Sequence, residues 1–106
     1  MRMLLLAVGV CSVTVAPIAS GAGNAERGKQ KSQVCIACHA EDGNSTNPQF
    51  PRLAGQHADY LVKALRDYKS GERKNPIMAP FAASLSAQDM EDLAAYFAKQ
   101  KGLSTP

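Results

Sequence analysis

With 106 residues and a formal charge of +3, the chain is sized for one small domain and has no strong excess of either sign. Its twelve Lys and Arg are spread along the sequence rather than gathered in a stripe, which excludes the usual footprint of a nucleic-acid binder. Two of its three cysteines, Cys35 and Cys38, stand three positions apart and leave a disulfide, metal or cofactor framework open.

Met1 and Arg2 lead into an apolar run from Met3 to Val15, which is interrupted by Ser12 and Thr14, stopped by Pro17 and followed by Ala19-Ser20-Gly21-Ala22. A positive start, a short apolar stretch and a small-residue exit make an export signal. The run falls short of the roughly 20 residues a spanning helix needs, so no permanent membrane anchor is expected. The expected organisation is a cleaved signal peptide over 1–22, taking Cys11 with it, and a single domain over 23–106 in the periplasm. From Gly23 on, thirteen of the apolar residues are alanines and none is Trp. A domain this small buries only about 60–65% of its chain surface and generally needs a staple or a cofactor.

Asn24 is placed to cap a first helix running from Ala25 towards Val34, with Glu26 in its first turn. Arg27, Lys29 and Lys31 are expected on a solvated face of that helix, available to an acidic partner. Val34-Cys35-Ile36-Ala37-Cys38-His39-Ala40 follows directly. Residues 41–52 are dense in Gly, Asn, Ser, Asp and Pro and read as a loop. Leu61, Ala64, Leu65 and Tyr68 recur at helical spacing within a helix from His57 to Tyr68, and Gly71 stops it. A second loop is expected around Asn75-Pro76-Ile77-Met78-Ala79-Pro80, stiffened by its two prolines. In the last helix Ser86 and Asp89 have the spacing of a capping box, Leu85 and Met90 that of a hydrophobic staple, and Met90, Leu93, Ala94 and Phe97 share one face. Lys99, Lys101 and Gly102 close it. No segment alternates as a strand does, so the fold class is all-α.

The thiol pair can be weighed against this background. A thioredoxin-like redox pair sits in a βαβ context, and no strand is expected. Zinc needs four ligands, and from Gly23 on there are two Cys and two His, with Cys38 and His39 adjacent. A Cys35–Cys38 disulfide closes a loop too short to constrain the unfolded chain much. Covalent haem attachment uses every member: Cys35 and Cys38 form thioethers and His39 is carried under the iron. Haem c is thus the leading reading, with disulfide and zinc as alternatives. For the sixth iron position the candidates are Met78, Met90 and His57. Met90 has a place in the staple and His57 reads as a surface residue, whereas Met78 has no helical face to join.

The ordered set Gly28-Lys29, Cys35-Ile36-Ala37-Cys38-His39, Asp42-Gly43-Asn44-Ser45, Phe50-Pro51-Arg52-Leu53-Ala54-Gly55-Gln56, Tyr60-Leu61, Met78 and Leu85-Ser86-Ala87-Gln88-Asp89 through Phe97 resembles a class I cytochrome c of the small bacterial periplasmic kind. It is most similar to one haem domain of the cytochrome c4 family. The resemblance spans about residues 24–102 and departs in two ways: Ala40 stands where such proteins commonly have Gly, at the expense of a small local adjustment, and only one haem domain is present, so a diheme architecture is not expected. It implies three to four helices around one covalently attached haem, with first and last helices crossing where Gly28 admits Tyr96 and Phe97. It implies that the Pro51 carbonyl accepts from His39, and that Met78, seven residues before Leu85, is the second axial ligand. The implied function is a soluble single-electron carrier without catalytic residues, exchanging electrons with periplasmic dehydrogenases, membrane cytochrome complexes or terminal oxidases. The alternatives are a haem subunit of a larger dehydrogenase or oxidase complex, or a ligand-binding haem enzyme or sensor.

Overall fold

The computed structural model of the chain describes residues 9–13 and 23–103. The expected signal peptide lies outside them apart from 9–13, which is exposed and irregular. Among the described residues there is no strand, and the elements are α1 (Ala25–Lys31), a 3-10 turn (Ser32–Val34), α2 (Ile36–His39), α3 (Ala58–Ser70), α4 (Met78–Ala83) and α5 (Ala87–Ala98). No helix among them is long and apolar enough to cross a membrane.

Asn24 caps α1, its side chain accepting from the Arg27 amide at 2.9 Å. The first helix ends sooner than its composition suggests. Ser32 is buried and donates its hydroxyl to the Lys29 carbonyl at 2.7 Å, and the chain tightens into the 3-10 turn that delivers Cys35. His57 stands at the N-cap of α3, and Gly71 closes that helix at φ +84°, a left-handed conformation that favours glycine. In α5 the box is complete: the Asp89 amide donates to the Ser86 hydroxyl at 3.0 Å and the Ser86 amide to the Asp89 carboxylate at 2.9 Å. Met90, Leu93, Ala94 and Phe97 are buried as the face predicts, and Tyr96 joins them.

Leu61 and Val62 of α3 meet Leu93, Ala94, Tyr96 and Phe97 of α5 to form the core. Helix α1 crosses α5 on its other side. A Cβ on Gly28 would stand 1.9 Å from the Asp92 carbonyl oxygen and 2.8 Å from Tyr96 Cβ, so only glycine allows this approach. Phe97 supplies none of the three atoms nearest to such a Cβ; its ring lies against Gly43, where a Cβ would meet Cδ1 at 2.8 Å.

The crossing is fastened by Asp92, whose side chain is fully buried. It accepts from the Asn24 amide at 2.8 Å, Arg27 Nε at 3.1 Å, Lys31 Nζ at 2.7 Å and Gln88 Nε2 at 2.9 Å. Burial alone would raise this carboxyl, but Arg27, the Asn24 amide, Lys31 and Gln88 together hold it well below the usual carboxylate range. The solvated basic face expected on α1 is therefore only partly real. Lys29 is exposed, while Arg27 and Lys31 turn back onto α5, Lys31 also reaching Asp89 at 2.7 Å.

Two further expectations need correction. Met78 does not lie in a loop but is the first residue of α4, with Pro80 in the first turn where its missing N–H does no harm. Ala40, the residue after α2, makes no local adjustment either: it keeps φ +69° and ψ 162°, a region essentially reserved for glycine. Such strain costs of order 1–3 kcal/mol, partly offset because glycine loses about 0.4–1 kcal/mol more on folding. Ala40→Gly is accordingly expected to stabilise the haem-loaded protein by about 1 kcal/mol, a rise of roughly 4–8 °C in Tm. Thermal unfolding followed by circular dichroism checks this; an unchanged or lower Tm would mean that Ala40 is relaxed.

Candidate functional site

Helix α2 is a single turn with Cys35 at its N-cap and Cys38 and His39 within it. Residues three apart on one turn share a face, and Cys35, Cys38 and His39 all line one cavity. The cavity is bounded by α3 through Leu61, Ala64, Leu65 and Tyr68, by α5 through Leu93, Ala94 and Phe97, and by α4 through Met78 and Phe81.

His39 is 5% exposed and its Nδ1 lies 2.8 Å from the Pro51 carbonyl oxygen. A carbonyl only accepts, so Nδ1 carries the proton and Nε2 keeps its lone pair for whatever occupies the cavity. The Phe50 ring stands edge-on to the imidazole, 6.3 Å between centroids. The loop over 41–52 thus has a definite task, and it is tied down for it. The Leu53 amide donates to the Gly43 carbonyl at 2.8 Å, and the Tyr96 hydroxyl of α5 donates to the Glu41 carbonyl at 2.9 Å.

Cys35 and Cys38 are free, half-buried thiols. Burial pushes the Cys35 thiol up, with neighbouring Cys38 adding to the effect. That is the opposite of the lowered thiol an attacking redox cysteine needs. Zinc fares no better, because among the described residues no three His, Cys, Asp or Glu gather as a metal site would require.

The remaining candidates separate by position. Met78 lines the cavity and is half-buried. Met90 is 4% exposed, inside the protein and away from the cavity lining, and His57 is exposed at the start of α3. The structure therefore brings Cys35, Cys38, His39 and Met78 to one cavity and leaves Met90 and His57 outside it.

Sequence reasoning missed the polar part of the wall. Arg52 and Arg73 line the cavity, and no Asp or Glu does. Arg73 Nη1 donates to the Tyr60 hydroxyl at 3.3 Å, and its guanidinium lies 4.8 Å from the centre of the Tyr68 ring. Positions 52 and 73 belong to different irregular stretches, so no periodicity places them together, and Glu72 beside Arg73 hides in sequence that the cavity wall itself carries no acid. Haem fits this donor set on each count. It is flat and largely apolar, as the α3 and α5 walls are; it bears two propionates, matched by two arginines without a competing carboxylate; and it takes sulfur at its vinyl groups and an imidazole lone pair at its iron.

Comparison with known proteins agrees with the geometry. The family model described as Cytochrome c matches residues 25–101. Cytochrome c4 of Pseudomonas aeruginosa is 45% identical over 106 residues, covering 97% of this chain and 50% of that protein. Cytochrome c-554(548) of Halomonas halodenitrificans is 41% identical over 83 residues, covering 76% of this chain and 100% of that protein. The crystal structure of reduced recombinant cytochrome c4 from Pseudomonas stutzeri superposes with a TM-score of 0.73 at 49% identity, covering 77% of this chain and 48% of that one. The chain thus spans about half the length of the cytochrome c4 relatives it matches. A helical fold around a cavity bearing Cys35, Cys38 and His39, matched by the family model over nearly all of its described length, means that the chain belongs to the cytochrome c family, whose members bind covalently attached haem c.

Proposed function

We propose that this chain is a single-electron carrier built on one haem c, with Cys35 and Cys38 as its thioether anchors and His39 and Met78 as its axial ligands. The observation that carries the reading is the convergence of these four side chains on one apolar-walled cavity, with His39 Nδ1 already committed to Pro51. When bound, the haem supplies reversible one-electron exchange at its iron.

Each residue has a part that follows from its setting. Cys35 and Cys38 would hold the haem through thioether bonds at its two vinyl groups, each thiol hydrogen going to the other vinyl carbon. The Pro51 carbonyl fixes the ring of His39 and increases the basicity of Nε2. Met78 would hold the iron through its thioether, which would leave no open site for substrate or oxygen and favour a raised reduction potential. Leu61, Leu65, Leu93 and Phe97 keep water from the centre, which disfavours added charge in the same sense. Arg52 and Arg73 offset the propionates. Val34, Tyr60, Ile77 and Phe81 are exposed and edge the cavity mouth, a small apolar rim suited to brief docking with redox partners such as dehydrogenases, membrane cytochrome complexes or terminal oxidases. The same reading has residues 1–22 as a cleaved export signal and 23–106 as a cytochrome c domain working in the periplasm; the order of residue types in 1–22 supports it.

The ligand set is tested by substitution in the haem-loaded protein. Met78→Leu keeps the volume but removes the sulfur. It is expected to abolish the sulfur-to-iron charge-transfer band of the oxidised protein, lower the potential and let the reduced protein bind carbon monoxide. Met90→Leu removes a sulfur from the core instead and should cost under about 1.5 kcal/mol with the spectrum intact. His57→Ala should also leave the spectrum alone. Survival of the band in Met78→Leu with its loss in either control would sink the assignment.

A further inference from the structure

We infer that Asn75 is the positioning residue that aims Met78 into the cavity. The inference rests on the reading of Met78 as an axial ligand. It starts from an accounting of backbone donors at the start of α4. A helix of six residues is too short to hold itself, so its first turn depends on what accepts its free N–H groups. Asn75 Oδ1 accepts from the Ile77 amide at 2.9 Å and from the Met78 amide at 3.0 Å. The Asn75 carbonyl accepts from the Ala79 amide at 2.9 Å. Pro80 comes next and has no N–H. One residue therefore satisfies every donor of that turn.

The prolines flanking Met78 do not do this work. A proline sets its own φ and constrains the residue before it, which here restrains Asn75 and Ala79 but not the backbone of Met78 itself. The side chain of Asn75, which itself lines the cavity, sets where the Met78 backbone starts. The turn is in turn moored to α3: the Arg73 amide donates to the Asp67 carbonyl at 3.0 Å, and the Arg73 guanidinium reaches Tyr60 and Tyr68. Beyond α4, Lys69 Nζ donates to the Leu85 carbonyl at 2.5 Å and ties the other end to the same helix. Both ends of the 71–85 segment are thus held by α3, and Asn75 is the internal brace next to the ligand.

A brace of this kind changes how readily the methionine leaves. An external ligand can occupy the sixth position only by displacing Met78, and a pre-organised Met78 returns faster and more often than a loose one. Asn75→Ala removes the shared acceptor of two amides, and losing such a cap is expected to raise the affinity of the oxidised, haem-loaded protein for added imidazole about five- to tenfold. Asn75→Asp keeps an acceptor oxygen at the same place and should restore the parent affinity. The charge-transfer band of Asn75→Ala should also fade at a lower temperature than the parent's, ahead of global unfolding followed by far-ultraviolet circular dichroism. A variant that unfolds globally at lower temperature yet binds imidazole as the parent does would overturn the inference, because that is the mark of a merely structural residue. So would failure of Asn75→Asp to restore the parent affinity. Met78→Leu measured alongside separates the two layers. If it keeps the band, the ligand assignment and this inference fall together; if it loses the band while Asn75→Ala leaves imidazole affinity unchanged, the ligand assignment stands and only the positioning role is lost.

Discussion

Replacing both Cys35 and Cys38 by alanine is expected to leave a chain with no cooperative fold. The largest side chains that are fully enclosed without the cofactor are Leu93, Asp92 and Ser32, two of them polar, and the rest of the enclosed set is small, as at Ala54, Ala82 and Ala94. The core proper is six residues from two helices, and Leu53 and Leu65 beside it are only partly covered. Their remaining apolar surface faces the cavity, so haem completes the core as well as serving the chemistry. A covalent tether keeps the haem on the chain in both states, so the stabilisation comes from the packing and iron ligation that only the native state provides, made at the high effective concentration the tether sets. Small domains without such a staple are marginal, with few kcal/mol from packing alone. Circular dichroism of the double variant should show weak helicity and a broad, featureless thermal profile. A sharp two-state transition in the haem-free protein would show instead that the helices hold one another unaided.

The second large effect belongs to Asp92. Asp92→Ala removes the one acceptor shared by the Asn24 amide, Arg27, Lys31 and Gln88 across the α1–α5 crossing. Breaking a buried ionic network from its enclosed side typically costs about 3–5 kcal/mol. The low end, about 3 kcal/mol, applies here because the side chains of Arg27 and Lys31 remain 55% and 31% exposed and can turn to water. The effect also has a pH signature. The Asp92 carboxyl is depressed in the folded state by Arg27, the Asn24 amide, Lys31 and Gln88, which outweigh the effect of burial. A depressed carboxyl stabilises the fold fully above its unfolded value of about 3.9, and that contribution disappears as pH falls towards the folded value. Denaturant unfolding should therefore show a constant gap between parent and variant from about pH 5 to 7, narrowing steadily on acidification below about pH 4. A gap that does not change with pH would mean that Asp92 acts by packing rather than by charge.

Local signals carried the sequence reading a long way. The caps at Asn24 and Ser86, the stop at Gly71 and the buried face of α5 all depend on residues within a few positions of each other, and all are found. Cys35, Cys38 and His39 were legible for the same reason, whereas Met78 was singled out as a loop residue and instead opens α4, where it does line the cavity. What stayed hidden depends on distant partners or on competing local rules. Asp92 looks like an ordinary polar residue of an amphipathic helix until Asn24, 68 positions away, is brought beside it. The turn at 75–80 reads as a loop because two prolines mask a cap that works through a side chain. Ala40 holds a glycine conformation because the residues on either side of it, His39 and Glu41, are anchored elsewhere, to Pro51 and Tyr96.

The pairing of α1 with α5 also bears on the order of events while the chain is being made. Its bonds join residues 61 to 68 positions apart, so they form only after nearly the whole polypeptide has emerged. Until then Gly28 faces no partner helix, and the two helices are each too short to persist in isolation. The segment carrying Cys35, Cys38 and His39 sits between them in sequence, so its thiols are made before any of the helices α3, α4 and α5 that wall the cavity. The last helix to appear is the one that closes the cavity and locks the first.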